Sequence, residues 1–233
     1  LDDSLVLPRS LRSTLNRLLP IGFALIGIGL SVALGRLDVQ RQESELIANA
    51  SARLSGVRAA LEAQLRSAFG ETEGIAQLIS ADGQITPEHF HNMARQAIAS
   101  VPHIRHISIA PGDVVADVYP LHGNQSLIGV DYRHLPDQYP LLQRARDHYS
   151  PVLAGPLQLY QGGRGLIYRR PVFLKGHKGV KLYWGNVSIV ADIDRLLSAA
   201  GLDLDPGFEL ALRGADGQGA VGGMIWGDPQ LFT

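Results

Sequence analysis

The feature that most constrains this chain is an uncharged apolar segment near its N-terminus. Residues 18–35, LLPIGFALIGIGLSVALG, contain no Asp, Glu, Lys or Arg. At ~1.5 Å per residue, a helix of this length spans roughly 27 Å, which is close to the ~30 Å hydrocarbon core of a bilayer. The segment therefore predicts a transmembrane helix.

The flanking charges predict the orientation of that helix. Arg9, Arg12 and Arg17 precede the segment, whereas only Arg36 follows closely. Because basic residues favour the cytoplasmic side, we expect residues 1–17 in the cytoplasm and the rest of the chain outside. Two alternatives stay open, a buried core helix and a signal peptide cleaved at Ser31-Val32-Ala33. Cleavage would still leave the bulk of the chain outside.

The composition excludes several functional classes. The chain has no cysteine, which rules out disulfides, thiolate metal sites and a cysteine nucleophile. A net charge of −1 gives no basis for nucleic-acid binding. The eight histidines are scattered, and we find no phosphate-binding loop, nucleophile elbow or His-Glu-x-x-His motif. We therefore expect no catalytic residue, no metal and no cofactor, and a chain that is not an enzyme.

Hydrophobic periodicity predicts a helical region followed by a sheet. Apolar residues recur at intervals of three and four from Leu46 to Ala68. This indicates a long amphipathic helix that packs against a second copy in a dimer or against its own domain. We expect a helical stalk over residues 36–100, with a second helix over 68–80 and a third that Thr86 caps.

After Pro102 the sequence pattern changes from one typical of helices to one typical of short strands. The predicted strands are 104–109, 114–119, 152–159, 165–173, 180–190 and 208–213, and the predicted helices are 141–149 and 192–200. Helices followed by a mostly antiparallel sheet indicate an α+β domain.

Short motifs follow one another through this strand-rich part. They are Ala110-Pro111, Tyr119-Pro120, Gly129 to Asp131, Ala145-Arg146-Asp147, Leu153 to Pro156, Gln161-Gly162, Pro171-Val172-Phe173 and a hydrophobic strand that leads into Asp192. In this order and spacing they resemble the CHASE domain, the extracellular sensory module of histidine kinases and nucleotide cyclases. The resemblance covers roughly Ala59 to Trp226.

The resemblance implies a fold, a domain organisation and a function. We expect residues 101–233 to form a PAS-like ligand-binding sensor, with its C-terminal end truncated. The implied output is a histidine kinase or a cyclic-di-GMP enzyme, in a domain that this chain does not contain. The implied setting is the bacterial inner membrane, with the sensor in the periplasm.

The resemblance also implies two ligand-binding residues. Family members that bind adenine-type cytokinins hold the purine edge with one carboxylate and one backbone leucine, and the motifs place these roles on Asp131 and Leu153. Two alternatives remain open. Asp131 could cap a turn, and Leu153 could pack in the core.

Further candidates come from the strands themselves. Tyr168 and Arg170 lie on one face of a strand, and Arg169 lies on the other. If either arginine faces the pocket, the ligand is expected to be anionic rather than a neutral purine. On the next strand, Tyr183 could supply an aromatic wall and Gly185 could make room for a ligand. The candidate ligand-binding residues are thus Asp131, Leu153, Tyr168, Arg170, Tyr183 and Gly185.

Together these features predict a small-molecule sensor of a homodimeric membrane receptor. Its expected partners are an unknown small ligand, the membrane and a second copy of the chain, without nucleic acid. Two other functions stay open: a periplasmic protein-interaction module, and a secreted enzyme released after cleavage at Ala33.

Overall fold

A computed structural model of the chain describes residues 9–159, 162–176, 179–202 and 208–232. The chain forms two compact units, residues 1–54 and 55–233. The helices are α1 (Arg9–Asp82), α2 (Pro87–Ser100), α3 (Tyr139–Asp147) and α4 (Ile193–Ala199). The strands are β1 (Ile104–Pro111), β2 (Asp117–Tyr119), β3 (Val152–Gln158), β4 (Arg164–Lys175), β5 (Lys181–Asp192), β6 (Leu212–Arg213) and β7 (Met224–Trp226).

The first unit is the N-terminal part of α1. Its large apolar side chains point outward, and those from Phe23 to Leu34 are each more than half exposed. Among the described residues, this helix is the one that is long and apolar enough to cross a membrane. Exposed apolar side chains are stable there when lipid replaces water around them.

Helix α1 ends at Asp82, within the second unit. The predicted start of a new helix near residue 68 is wrong, because α1 runs through Gly70 to Asp82. A glycine inside a helix costs only about 1 kcal/mol. Ala68 and Thr72, on either side of Gly70, are fully buried, and their packing offsets that cost.

Helix α2 begins as its sequence predicts. The Thr86 hydroxyl accepts a hydrogen bond from the backbone N–H of His89 at 3.3 Å, and Pro87 is the first helical residue. Phe90, Ala94 and Ala97 are buried on one side of the helix. The cap and this apolar side together fix α2 against the sheet.

The second unit is built on a five-stranded antiparallel sheet with the strand order β2-β1-β5-β4-β3. The α+β, PAS-like class expected from the sequence is confirmed. The four longer strands lie close to their predicted positions. The predicted strand 114–119 is shorter, because Val114 forms an isolated bridge with Asp131 instead. The strand predicted over 208–213 is reduced to β6, which pairs with β7.

The sheet has two unlike faces because side chains alternate along each strand. We call the helix face the one that packs on α1, α2 and α4. Its residues include Ile107, Ile109, Leu166, Tyr168, Val187 and Ile189. We call the opposite face the pocket face. Its residues include His106, Ser108, Ile167, Arg169, Ser188 and Val190.

The helix face forms the main apolar core. Phe90 of α2 and Ile75 and Ile79 of α1 pack against Ile107 and Ile189 of the sheet, and all five are at most 1 % exposed. Burying a side chain of this size stabilises the fold by roughly 1.5–3 kcal/mol. This core therefore holds the C-terminal part of α1 firmly on the sheet.

Candidate ligand-binding site

The pocket face carries buried polar side chains where the helix face carries apolar ones. Arg169, Ser188 and Ser108 lie side by side on β4, β5 and β1, because Arg169 pairs with Ser188 and Ser188 with Ser108. All three are at most 3 % exposed. Burying polar groups costs free energy unless they are hydrogen-bonded. The Ser188 hydroxyl is hydrogen-bonded to Oδ1 of Asn186 at 2.9 Å, whereas two buried nitrogens of Arg169 have no partner among the described residues. The row therefore indicates a candidate site at Arg169.

A cavity lies over this row of polar groups. One wall is formed by the insert segment, which we define as residues 120–138 between β2 and α3. The residues that line the cavity are His106, Ser108, Leu127, Val130, Tyr132, Leu135, Gln138, Leu157, Gln158, Leu159, Ile167, Arg169, Ser188 and Val190. Its volume is about 50 Å³. Since one water needs about 10–15 Å³ on this measure, the cavity has room for a small molecule.

Arg169 is the charged residue of the cavity. Its Nη2 donates a hydrogen bond to Oε1 of Gln138, and its guanidinium carbon lies 4.9 Å from the centre of the Tyr132 ring. Within the part of the chain that the structure describes, Nε and Nη1 of Arg169 have no hydrogen-bond partner. Burial lowers the pKa of the guanidinium, while the hydroxyls of Tyr132 and Tyr183 act in the opposite direction.

His106 supplies a neutral polar group to the same cavity. Burial, and secondarily the charge of Arg105, lower its pKa from 6.5 to about 4. The imidazole is therefore neutral at physiological pH, with one nitrogen as a donor and the other as an acceptor. Across the described ranges, no group of three or more His, Asp or Glu side chains is arranged to hold a metal ion.

Tyr183 does not line the cavity but belongs to an aromatic cluster beside it. Its hydroxyl donates a 2.6 Å hydrogen bond to Oδ1 of Asp113. Burial, and then this bond to a carboxylate, raise the pKa of Tyr183. Its ring packs against Phe173 at 5.5 Å, and Phe173 packs against Tyr149 at 4.8 Å. The role predicted from the sequence, an aromatic wall for a ligand, stays a prediction.

Asp131 caps a turn inside the insert segment. Its carboxylate accepts from the backbone N–H of Arg133 at 2.9 Å and from Nη2 of Arg133 at 2.6 Å. These bonds to Arg133 lower the pKa of Asp131 to about 2. Asp131 does not line the cavity, and its carboxylate is engaged by Arg133. Its assignment to a ligand stays a prediction, while the capping alternative describes the contacts that are present.

Leu153, Tyr168 and Arg170 all lie on the helix face. Leu153 packs beside Leu166 in the cluster around α4. The ring of Tyr168 stacks on Phe69 of α1 with centroids 4.0 Å apart, and Arg170 forms an ion pair with Glu73 of α1. The sheet separates these three side chains from the cavity.

Gly185 provides space for a neighbouring strand. Its φ is +148°, and a Cβ at this position would lie 2.1 Å from the carbonyl oxygen of Ala110 on β1. The glycine is therefore required for close approach of β1 and β5. The neighbour that Gly185 accommodates in the structure is the backbone of β1, and the predicted room for a ligand at this position stays a prediction.

The polar row itself was missed as a candidate site from sequence. Strand alternation predicts Arg169 on the face opposite Arg170, which the structure confirms. Ser108, Ser188 and Gln138 belong to no sequence pattern that indicates a binding site. They lie on separate strands and on the insert segment. They are brought together by the strand register. The sequence gives no signal for them because an isolated serine is common on any strand.

The sequence pattern of the CHASE domain matches residues 57–224, which is most of the chain. The chain belongs to the CHASE domain family. CHASE domains are sensory, non-catalytic domains that lie outside the membrane in receptors. The resemblance expected from the sequence motifs is thus confirmed, and with it a sensor role for this chain. No curated protein matches the chain.

Several solved structures are similar to the chain at low identity. An extracellular ligand-binding receptor from Desulfohalobium retbaense has a TM-score of 0.49 and 16 % identity, covering 62 % of this chain and 26 % of that one. The sensor domain of the histidine kinase DctB from V. cholerae has a TM-score of 0.46 and 15 % identity, covering 68 % and 60 %.

A third is the ligand-binding domain of the Pseudomonas aeruginosa amino acid chemoreceptor PctC in complex with GABA. It has a TM-score of 0.45 and 14 % identity, covering 62 % of this chain and 65 % of that one. The chain thus spans about a quarter of the first of these structures and less than two thirds of the other two.

Proposed function

We propose that this CHASE domain binds a small molecule in the cavity between the pocket face and the insert segment. The observation that carries the proposal is the buried polar row of Arg169, Ser188 and Ser108 at the floor of a cavity that also has apolar side chains in its lining. Binding sites of this kind combine mostly apolar walls with a few placed polar groups. The insert segment supplies Tyr132 and Gln138, so ligand contacts would fix its position over the sheet.

Strand β4 offers a short route from the cavity to α1. Arg169 faces the cavity, while its neighbours Tyr168 and Arg170 contact Phe69 and Glu73 of α1. A shift of β4 on binding would therefore move contacts on both faces at once. The ligand shifts the equilibrium only if it binds one arrangement of β4 and α1 better than the other.

The proposal also includes a cellular location and a domain organisation for the chain. We place the domain in the periplasm of a bacterium, held in the inner membrane by residues 18–35, with residues 1–17 in the cytoplasm. Residues 36–100 form the stalk and residues 101–233 the sensor. The output is a histidine kinase or a cyclic-di-GMP enzyme on the cytoplasmic side. Extraction with alkaline carbonate tests the anchor, because a chain released into the soluble fraction would contradict it.

A second copy of the chain is the proposed partner of α1. The apolar stripe predicted from Leu46 to Ala68 divides in the structure. Val57 and Ala68 are buried in the domain, whereas Leu46 and Leu54 are 70 % and 56 % exposed. The first half is therefore free to pack against the same stripe of another copy.

The absence of cysteine gives a clean test of the dimer. Leu46→Cys is expected to form an intermolecular disulfide in membranes under mild oxidation. Ala48→Cys, which lies about 200° around the helix, serves as the control. Equal crosslinking of the two variants would contradict a dimer through this stripe.

The cavity is tested by filling it. The complete chain in detergent micelles is screened against small metabolites for ligands that raise the thermal unfolding temperature. Ser108→Leu adds volume at the buried floor of the cavity and is expected to abolish each such shift. Ser100→Leu makes the same change at an exposed position and is expected to leave the shifts intact. Shifts that survive Ser108→Leu would exclude this cavity as the site.

A further inference from the structure

The charge of the cavity identifies a ligand class. Arg169 is 1 % exposed, so its guanidinium is shielded from bulk solvent. Among the described residues, it has no ion pair with an Asp or Glu, and its Nε and Nη1 are without hydrogen-bond partners. A buried guanidinium normally has an anionic partner, because an isolated buried charge is costly. The partner here is missing from the described protein.

The other polar groups do not replace that partner. The residues that line the cavity include no Asp or Glu. His106 is neutral at physiological pH, and Gln138 offers a single uncharged oxygen to Nη2. A negatively charged guest would therefore meet one full positive charge and no like charge.

The size and polarity of the cavity restrict the class of ligand further. A volume of about 50 Å³ holds roughly three to five water-sized groups. A purine is too large for this space. The lining also includes apolar side chains, with Leu127, Val130, Leu135 and Ile167 among them. The complementary guest has one compact anionic end and a short apolar end.

We propose that the ligand of this site is a small monocarboxylate whose carboxylate is bound by Arg169 and whose short carbon chain lies against the apolar wall. The inference rests on the proposed function, because it assigns a ligand class to the same cavity. Arginine suits this task since its planar N–H groups match the two oxygens of a carboxylate. Inorganic anions carry a matching charge but leave the apolar wall without contacts.

The first test compares an acid with its isosteric amide on the unchanged protein. The complete chain in detergent micelles is titrated with sodium propionate and with propionamide, at constant ionic strength set with sodium chloride, and binding is measured by calorimetry. Propionate is expected to bind at least about tenfold more tightly than propionamide, since a charged hydrogen bond contributes more than a neutral one. Equal affinity would overturn the inference. Sulfate or phosphate binding as tightly as propionate would overturn the carboxylate class.

The second test assigns the effect to Arg169. Arg169→Met keeps the approximate side-chain volume and is expected to weaken propionate binding at least about tenfold. Arg169→Lys is expected to bind propionate with an affinity between those of the wild type and Arg169→Met, because lysine keeps the charge but not the planar pair of donors. Arg95→Met, at an exposed position on α2, is the matched control and is expected to bind propionate normally. Full binding by Arg169→Met would overturn the assignment.

The two levels of the proposal fail in different ways. If neutral metabolites bind and Ser108→Leu abolishes their binding, the cavity is the site but the carboxylate inference is wrong. If propionate binds and Ser108→Leu has no effect, the anion site lies elsewhere and both the inference and the proposed site are wrong.

Discussion

The two faces of the central sheet are built from the same strands but bury different kinds of side chain. On the helix face, Ile107, Val187 and Ile189 pack with Phe90 into an apolar core. On the pocket face, one residue further along each strand, Ser108 and Ser188 are buried beside Arg169. The helix face stabilises the fold, whereas the pocket face gives up stability to keep a polar cavity. Four predictions test this contrast, from the largest expected effect to the smallest.

The largest effect is expected from the apolar core. Phe90→Ala removes a fully buried ring from the helix face and should lower the free energy of unfolding by about 3–5 kcal/mol. Urea denaturation of the complete chain in detergent micelles, followed by circular dichroism, measures this change. Leu121→Ala, at a position 48 % exposed, should change it by less than about 0.5 kcal/mol. A small effect at Phe90 would show that this face is not the main core.

The next effect distinguishes the pocket face by its pH dependence. The pKa of His106 is about 4 in the folded chain and about 6.5 when unfolded. Between these values the unfolded state binds the proton and the folded state does not, so stability should decrease as the pH falls from 6.5 to 4. The loss amounts to at most about 3–4 kcal/mol and stops below pH 4.

The matching variants isolate that histidine from the other titrating groups. His106→Gln should flatten the stability profile between pH 6.5 and 4 relative to the wild type. His89→Gln, which changes an exposed histidine on α2, should leave the profile unchanged. Identical profiles for wild type and His106→Gln would mean that His106 is not held neutral by burial.

A smaller effect with the opposite sign is expected at Arg169. Without ligand, Arg169→Met should raise the free energy of unfolding by about 1–2 kcal/mol, because it removes a buried charge that has no ion-pair partner among the described residues. Urea denaturation in ligand-free buffer measures this. A large destabilisation would instead show that Arg169 supports the fold.

The smallest effect concerns the contact between β4 and α1. The ion pair of Arg170 with Glu73 is half-exposed, so its coupling free energy should be about 0.5–1 kcal/mol. A double-mutant cycle with Arg170→Met and Glu73→Gln, measured by urea denaturation, gives this value. If β4 transmits the signal, both single variants should also change the signalling output of the intact receptor. Unchanged output would place transmission elsewhere.

Much of the fold was predictable because its signals are local. Thr86 and Pro87 mark the start of α2 by cap chemistry, and alternating apolar residues mark β1, β4 and β5. The break predicted near Gly70 was wrong because packing of Ala68 and Thr72 outweighs the low helix propensity of one glycine. Short edge strands were also predicted less well, since β2 is defined by one neighbour and not by its own sequence.

The candidate site was less predictable than the fold. The motifs identified the family and drew attention to Asp131 and Leu153, whose side chains the structure places in a capped turn and on the helix face. Strand alternation separated Arg169 from Arg170, but no sequence pattern indicated which of the two faces a cavity. That depends on which face α1 covers.

The sequence by itself determined the apolar N-terminal segment, the order along the chain of the strands in the five-stranded sheet, and membership of a sensory family, because each is encoded in composition, periodicity or motif order along the chain. Only the tertiary structure decided that Ser108, Arg169 and Ser188 share one cavity and that Arg169 is buried there without an acidic partner among the described residues. These properties arise from strand register and from burial, which bring together residues distant in the chain and remove the water that would otherwise solvate them.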